Sequence, residues 1–366
     1  MKRILAAVLT SALLLGLVAC SAGKQTEDKK VDPSSGTSAQ QAEQEDKDKS
    51  QAQKEQPSFA PAKVRVAYMP NLGSAGSLFT AQEQGYFQQV GLEVEVKEFQ
   101  GGPAEIAAMG SGDIDIAQIG HGAHALCIEG KALIFQNDST NSLADEVVAN
   151  KSKGISKPED LKGKTVAVAS GTSSEIILQQ VLAKAGLSLD DIKTVEMNNE
   201  GMTTAMLGGT VDACAAWSPN TVTLKEKMGD NYLSLGGNAD FSDKAVFPGS
   251  FITTENYAKE HQDILVRFAA AINRAHDYRL AHIEDVAKLL AQKLDVPEAT
   301  MLGAKNEGDW KTITEVAGDM DALKKIYKTQ QEVFINAGRI KQEVPVDQYV
   351  RFDIMEQGFK LYEQLK

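Results

Sequence analysis

The polar residues best suited to hold a small ligand lie in one turn, Ser-Gly-Thr-Ser-Ser at positions 170–174. Residues 165–169 alternate between β-branched and small types, which predicts a buried strand, and an apolar-periodic helix is expected to begin near Ile176. A strand–turn–helix junction presents unpaired backbone N–H groups at the positive end of the helix dipole. The turn is therefore a candidate binding site for an anionic group, or an ordinary N-terminal helix cap, since Ser and Thr are favoured in both roles.

An internal repeat shows which elements must position this turn. Residues 107–120 are echoed by residues 204–217, and both copies follow the order strand, turn, helix, strand, turn, helix, Gly, strand. A helix that joins two strands implies parallel pairing with a right-handed crossover. The sequence therefore predicts an α/β fold with two similar lobes, each a mostly parallel βαβαβ sheet flanked by helices.

Ligands of open parallel sheets bind beyond the carboxyl ends of the strands. In this chain those ends fall at residues 71–74, 100–102, 120–122, 170–174, 198–201 and 217–220, all rich in Gly, Ser and Asn. Facing a common cleft, they supply the candidate ligand-binding residues Asn71, Leu72, Gly101, Gly120, His121, Ser170, Gly171, Thr172, Ser173, Ser174, Asn199, Trp217 and Asn220.

Several of these residues allow two interpretations. Trp217 could stack on a ligand ring or pack in the core. His121, between two glycines, could donate to an anion or be a satisfied surface histidine. Glu175 and Glu200 could pair with a ligand amine or favour a helix N-terminus by their charge.

The first 62 residues predict export. Lys2 and Arg3 precede a short apolar run over residues 4–18, which is typical of a secretory signal and too short to span a membrane. Leu-Val-Ala-Cys at 17–20 resembles a bacterial lipobox, so residues 1–19 are expected to be removed and Cys20 to carry a lipid that anchors the protein to the outer face of the membrane. Residues 21–62 have almost no large apolar side chain, which predicts a disordered linker.

Composition excludes several classes of function. The formal net charge is −12, which argues against nucleic acid as a partner. Besides Cys20 there are only Cys127 and Cys214, and the five histidines are scattered. The residues therefore predict no metal site, no cofactor and no nucleophile–base pair for catalysis.

The order and spacing of several short motifs resemble the solute-binding proteins of ABC importers that take up sulfonates, taurine, nitrate and thiamine precursors. These motifs are Val-Arg-Val-Ala-Tyr-Met-Pro at 64–70, Glu-Gln-Gly-Tyr-Phe at 83–87, Met-Gly-Ser-Gly-Asp-Ile-Asp at 109–115, Pro-Glu-Asp-Leu-Lys-Gly-Lys-Thr-Val-Ala-Val at 158–168 and Gly-Thr-Val-Asp-Ala at 209–213.

The resemblance implies a type II periplasmic-binding-protein fold. Lobe 1 would comprise residues 63–151 and 247–366, lobe 2 residues 152–246, and two hinge crossings would let the lobes close on a ligand. The family usually has an acidic residue and an aromatic near positions 218–220, where this chain has Ser218, Pro219 and Asn220.

The implied function is capture of a small organic anion of the sulfonate or taurine kind and its delivery to the permease subunits of an importer by a monomeric protein. A heteroaromatic vitamin precursor is the alternative ligand, and a sensory lipoprotein without transport is the alternative role. An enzyme is disfavoured because the fold's pyrimidine synthases resemble a cytosolic branch with a cysteine-rich motif that this chain lacks.

Overall fold

The computed structural model describes residues 58–242 and 245–366. The predicted signal peptide, the lipidated Cys20 and most of the predicted linker lie outside the described residues. Within them, no helix is both long and apolar enough to cross a membrane.

The strands and helices are numbered in chain order. The strands are β1 (Ala62–Tyr68), β2 (Leu92–Glu98), β3 (Ile116–Ile119), β4 (Leu133–Ser139), β5 (Asp145–Asn150), β6 (Thr165–Val168), β7 (Lys193–Glu196), β8 (Ala213–Trp217), β9 (Tyr232–Gly237) and β10 (Gly249–Thr253). The helices are α1 (Leu72–Glu83), α2 (Tyr86–Gln89), α3 (Gly102–Ser111), α4 (His124–Ile128), α5 (Ser173–Lys184), α6 (Asn199–Leu207), α7 (Asn220–Met228), α8 (Glu255–Glu260), α9 (Gln262–Ala281), α10 (Ile283–Lys293), α11 (Glu298–Gly303), α12 (Trp310–Val316), α13 (Met320–Asn336) and α14 (Phe352–Leu365).

Two five-stranded sheets repeat one topology. The first has the order β2-β1-β3-β10-β4 and the second β7-β6-β8-β5-β9. In each sheet the first three strands are parallel and the fourth is antiparallel to both of its neighbours. The helices α1 and α3 connect the parallel strands of the first sheet, and α5 and α6 connect those of the second. The predicted fold class, two α/β lobes built on βαβαβ units, is confirmed.

Each sheet receives its antiparallel strand from the chain that has just crossed between the lobes. β5 pairs with β8 and β9, with Asp145 opposite Trp217, so it belongs to the second sheet. The chain thus changes sheet at residues 140–144, one strand earlier than the predicted boundary between residues 151 and 152. The apolar run Val147-Val148-Ala149 indicates a strand, but its composition does not specify which sheet it joins.

The C-terminal helices close the back of the first sheet. The 20-residue helix α9 packs against α1 and α14, and its Phe268 ring lies 5.0 Å from the Phe87 ring and 5.1 Å from the Phe251 ring. Helix α8 directly precedes α9, and the two helices are separated at His261. Helix α13 contacts both lobes: its Tyr327 hydroxyl accepts from Asn137 of β4 at 3.1 Å, and Val333 and Leu182 line a groove between α13 and α5.

Candidate ligand-binding cleft

A cleft lies between the two sheets where the carboxyl ends of their parallel strands face each other. It contains about 630 Å³ of space between atoms, a volume that includes the part open to solvent. The loops after β1, β3 and β4 line it from the first lobe, and the loops after β6 and β8 line it from the second. The full lining is Met69, Asn71, Leu72, Gly73, Ser74, Gln118, Gly120, His121, Ser139, Ser142, Ala144, Asp145, Ser173, Trp217, Ser218, Phe247, Pro248, Gly249, Glu307, Gly308 and Trp310.

The N-terminus of α1 contributes part of the lining from the first lobe. The Asn71 side chain accepts a hydrogen bond from the backbone N–H of Ser74 at 2.8 Å, and the Ser74 hydroxyl oxygen accepts one from the backbone N–H of Met69 at 2.9 Å. The first turn of α1 contains no acidic residue. Its remaining N–H groups, on Leu72 and Gly73, are therefore available to a ligand.

Asp145 is the most deeply buried charged group of the cleft, with 2% of its surface exposed. His121 Nε2 donates to Asp145 Oδ2 at 3.0 Å, and Asn238 Nδ2 donates to the same oxygen at 2.7 Å. Burial by itself raises the pKa of the Asp145 carboxyl, but the hydrogen bond and charge of His121, the nearby Ser173 side chain and the hydrogen bond from Asn238 outweigh it and hold the pKa below its ordinary value. Asp145 Oδ1 is buried and has no hydrogen-bond partner among the described residues.

Gln118 brings a second acceptor to the cleft. Its Nε2 donates to Asp138 Oδ2 at 2.9 Å, which fixes the orientation of the amide, and its Oε1 is buried without a partner among the described residues. A buried acceptor without a partner is costly unless a ligand or water satisfies it. The pair Asp145 Oδ1 and Gln118 Oε1 therefore favours a ligand that supplies N–H or O–H donors.

A buried ionic network holds Gln118 from behind. Asp138, with 0% of its surface exposed, accepts from the Ser77 hydroxyl at 2.5 Å and from His276 Nε2 at 2.8 Å, and Arg279 Nη2 donates to its backbone carbonyl at 2.8 Å. Burial alone would raise the pKa of Asp138, but the Arg279 charge and these hydrogen bonds keep the pKa low. The Arg279 guanidinium also lies 4.3 Å from the ring centre of Trp310, so the network supports an aromatic wall of the cleft.

Aromatic rings form the apolar walls. Trp217 is 7% exposed at the end of β8, and its backbone is held on both sides by the Asn199 side chain, at 3.1 Å to the N–H and 2.8 Å to the carbonyl. Phe247 lies 4.8 Å from the His121 ring, and the Trp310 indole N–H donates to the Lys305 carbonyl at 2.7 Å. Together these rings give the cleft flat surfaces that suit a planar ligand.

The turn at 170–174 is mostly occupied by its own contacts. The Ser170 hydroxyl and N–H donate to Glu196, the Gly171 N–H donates to Glu175 at 2.9 Å, and the Thr172 hydroxyl donates to the Ala169 carbonyl at 2.7 Å. The buried Ser174 hydroxyl donates to the Ala215 carbonyl at 2.6 Å. Ser173 is the residue of this turn that lines the main cleft, and Thr172 lines a smaller neighbouring cavity.

The structure brings together six of the predicted site residues in the main cleft: Asn71, Leu72, Gly120, His121, Ser173 and Trp217. Gly101 lies against the Thr172 methyl group, and Asn220 donates to the Asn199 carbonyl and to the Thr203 hydroxyl at 2.9 Å each. Neither they nor Ser170, Gly171, Ser174 and Asn199 line the cleft.

Among the lining residues that the sequence analysis did not name, Gln118, Asp145 and Glu307 carry the amide and carboxyl groups. A single polar residue inside an apolar strand, as in Ile116-Ala117-Gln118-Ile119, is a signal that could have found Gln118. Asp145 begins a strand whose partner sheet was not predicted, and Glu307 comes from a segment without a motif. No lysine or arginine is among the lining residues.

No group of three or more His, Cys, Asp or Glu side chains with metal-binding geometry is found in the described part of the chain. Cys127 and Cys214 are buried free thiols, and burial raises the pKa of both far above the ordinary value. Such thiols are inert rather than nucleophilic.

Comparison with known proteins shows which family this chain belongs to. The family model described as NMT1/THI5 like matches residues 74–285. A binding protein of Brucella abortus (strain 2308) is 30% identical over 293 residues, covering 78% of this chain and 90% of that protein. A Bacillus subtilis (strain 168) protein provisionally named for aliphatic sulfonates is 27% identical over 267 residues, covering 71% of this chain and 76% of the relative.

Among solved structures, the alkanesulfonate-binding protein SsuA from Xanthomonas axonopodis pv. citri, bound to MOPS, superposes with a TM-score of 0.66 at 21% identity, covering 80% of this chain and 99% of that one. This likeness extends over both lobes and supports the two-lobed binding-protein fold. The family match covers more than half of the chain and includes the ends of β3, β4, β6 and β8 that line the cleft. The chain belongs to the NMT1/THI5-like family of solute-binding proteins.

Proposed function

We propose that this protein is the solute receptor of an ABC importer, exported and anchored through a lipid on Cys20, which captures a small molecule between its lobes and delivers it to a permease. Its relatives named for sulfonates and its two-lobed fold support this role. Binding without chemistry is part of the proposal, as are a monomeric state and the absence of a cofactor.

The ionised, buried Asp145 is the observation that determines the kind of ligand. A sulfonate placed in the cleft would lie near this carboxylate; His121 is already bonded to Asp145, and no lysine or arginine side chain lines the cleft to offset the repulsion. The unpartnered oxygens of Asp145 and Gln118 need donors instead. We therefore propose the heteroaromatic alternative, a planar nitrogen-containing solute such as a pyrimidine vitamin precursor, which brings N–H donors and stacks on Trp217 or Trp310.

A zwitterion of the taurine kind is the second candidate, because the first turn of α1 favours it. Its sulfonate would accept from the N–H groups of Leu72 and Gly73, at a helix N-terminus without an acidic residue. Its ammonium would then pair with Asp145. This ligand satisfies the same carboxylate but leaves the aromatic walls without a ring.

Probes of matched shape and different charge test these ligands. Benzamidine is a cationic aromatic, benzamide its neutral counterpart and benzenesulfonate its anionic counterpart, and taurine is the aliphatic zwitterion. Thermal unfolding in the presence of each probe should show stabilisation by benzamidine and benzamide, since a ligand at 100 times its Kd adds about 2.7 kcal/mol. Stabilisation by benzenesulfonate alone would contradict the proposed ligand class, and stabilisation by taurine alone would favour the second candidate.

Asp145→Asn should weaken benzamidine binding by about 10- to 100-fold, because a charge-assisted hydrogen bond contributes about 1.5–3 kcal/mol. Asp230→Asn is the matched control, since Asp230 is exposed and lies outside the cleft. Titration calorimetry measures both variants. Equal benzamidine affinity in the wild type and in Asp145→Asn would remove Asp145 from the site.

A further inference from the structure

Glu307 reaches the cleft from a segment that is bonded to the first crossing between the lobes. The backbone N–H of Leu143 donates to the Glu307 carbonyl at 2.8 Å, and the N–H of Asp309 donates to the Asn141 carbonyl at 3.1 Å. Ser142 and Gly308 form the bridge between these two bonds. Residues 307–309, which precede α12, are therefore fixed to the crossing at residues 140–144 by an antiparallel bridge.

The chain returns from the second sheet to the first just before β10, and this return segment is hydrogen-bonded to the same residues of the first crossing. The N–H of Ser142 donates to the Phe247 carbonyl at 2.8 Å, and the N–H of Phe247 donates to Asn141 Oδ1 at 3.0 Å. Both crossings and the Glu307 segment are thus joined around Asn141 and Ser142. A side chain fixed here stays at the hinge whichever lobe moves.

The Glu307 side chain lines the cleft together with Trp310 and lies near the Ser218 hydroxyl of the second lobe. It makes no ion pair with any lysine, arginine or histidine of the described residues. The charged and titratable groups near it are Asp145 and Glu146 from β5 and Tyr232 from β9. His121 lines the same cleft but is bonded to Asp145, and Arg279 of α9 packs on the Trp310 ring and does not line the cleft. Glu307 is thus a carboxyl group surrounded by other acids and open to the ligand space.

Burial is the main reason that the pKa of Glu307 rises to about 8; the Ser218 hydroxyl lowers it, and the charges of Asp145 and Glu146 raise it further. In the empty cleft at neutral pH the carboxyl is therefore largely protonated. Because no described lysine, arginine or histidine forms an ion pair with Glu307, a cationic ligand would provide its opposite charge.

We propose that Glu307 is the residue that sets the charge preference of the cleft, and that a cationic N–H ligand binds as Glu307 releases its proton. The O–H bond of the carboxyl breaks, the proton leaves to solvent, and the resulting carboxylate accepts a hydrogen bond from the ligand N–H. This proposal rests on the proposed function, because it requires that a donor-bearing aromatic ligand occupies the cleft. It adds that a carboxyl group at the hinge, besides Asp145 of the second lobe, responds to the charge of the ligand.

The pH dependence of benzamidine binding tests the assignment. Below the pKa of Glu307 each bound cation must expel a proton, so affinity should rise about tenfold per pH unit and level off above pH 8. Between about pH 6 and pH 8 the wild type should gain on the order of 100-fold. Glu307→Gln has no proton to release and should lose this gain. Glu315→Gln, an exposed glutamate in α12, should keep the wild-type profile.

Proton release measured on the wild-type protein gives a second readout that requires no variant. Calorimetric titration at pH 7 in two buffers of different ionisation enthalpy should report close to one proton released per benzamidine and none per benzamide. Benzamidine binding with no proton release, or with the same pH profile in Glu307→Gln as in the wild type, would overturn the role of Glu307 and leave the proposed function standing. No binding of either probe would instead contradict the proposed ligand class.

Discussion

The first-strand turns of the two lobes begin alike and end in different environments. In lobe 1 the N–H of Met69 donates to the Ser74 hydroxyl at 2.9 Å, and in lobe 2 the N–H of Ala169 donates to the Ser174 hydroxyl at 3.1 Å. One position further along each helix the lobes diverge, because lobe 1 has Ala75 where lobe 2 has Glu175. Glu175 accepts from the N–H of its own turn, whereas the α1 turn has no acid in that place.

This difference shows why one helix N-terminus faces the ligand space while the other is used for packing. The lobe 2 turn contacts lobe 1 directly: a Cβ added at Gly122 would lie 2.1 Å from the Thr172 carbonyl carbon. Arg339, beyond α13, also approaches Glu175 at 3.4 Å. A turn rich in hydroxyl groups can therefore serve lobe closure, while a plainer turn with free N–H groups is left for the solute.

The lobes also differ beneath these turns, and a substitution there is expected to have the largest effect, on the free energy of unfolding. Ser77 of lobe 1 bonds the buried Asp138, whereas the equivalent position in lobe 2 is the buried, apolar Ile177. Asp138→Asn leaves Arg279 without an ionised partner, so it should lower the free energy of unfolding by about 3–5 kcal/mol.

Ile177→Val is the matched change beneath the lobe 2 turn and should cost about 0.5–1.5 kcal/mol. Chemical denaturation measures both variants. If Asp138→Asn costs no more than Ile177→Val, the ionic network does not stabilise lobe 1 and the contrast between the lobes fails.

Gly122→Ala tests the contact between the lobes and has the next largest effect. The added methyl group would collide with the backbone at Thr172 and Ser173, so the lobes should close incompletely and benzamidine affinity should fall at least 100-fold, about 2.7 kcal/mol. Gly110→Ala is the control, because a Cβ there meets nothing within 4 Å. Calorimetric affinity and small-angle scattering with ligand are the measurements; unchanged affinity with a compact liganded form would contradict the close approach.

Much of the fold was predictable from the sequence, because the repeated strand–helix spacing and the alternation of apolar residues fix the βαβαβ units. The cleft was predictable in outline, since parallel strand ends meet at one edge. Its chemistry was not. Whether a hydroxyl is free depends on tertiary neighbours such as Glu196 and the Ala215 carbonyl, and Glu307 enters the cleft through pairing with residues 141–143. Such contacts are distant in sequence and leave no local pattern.

The smallest predicted effect is a difference in ligand affinity between removing the Ser173 hydroxyl and removing the Ser170 hydroxyl of the lobe 2 turn. Ser173 lines the cleft near Asp145, so its hydroxyl can bond the ligand or help to position the Asp145 carboxylate. Ser173→Ala should therefore weaken benzamidine binding by about threefold to tenfold, the range expected for the loss of one neutral hydrogen bond. Ser170→Ala should leave the affinity within about twofold, because the Ser170 hydroxyl is exposed and donates to Glu196 at 2.7 Å. Both substitutions remove one hydroxyl from the same turn, so each is the control for the other in the same calorimetric titration. If Ser170→Ala weakened binding as much as Ser173→Ala, the turn as a whole would hold the ligand, and the two lobes would use their first turns in the same way.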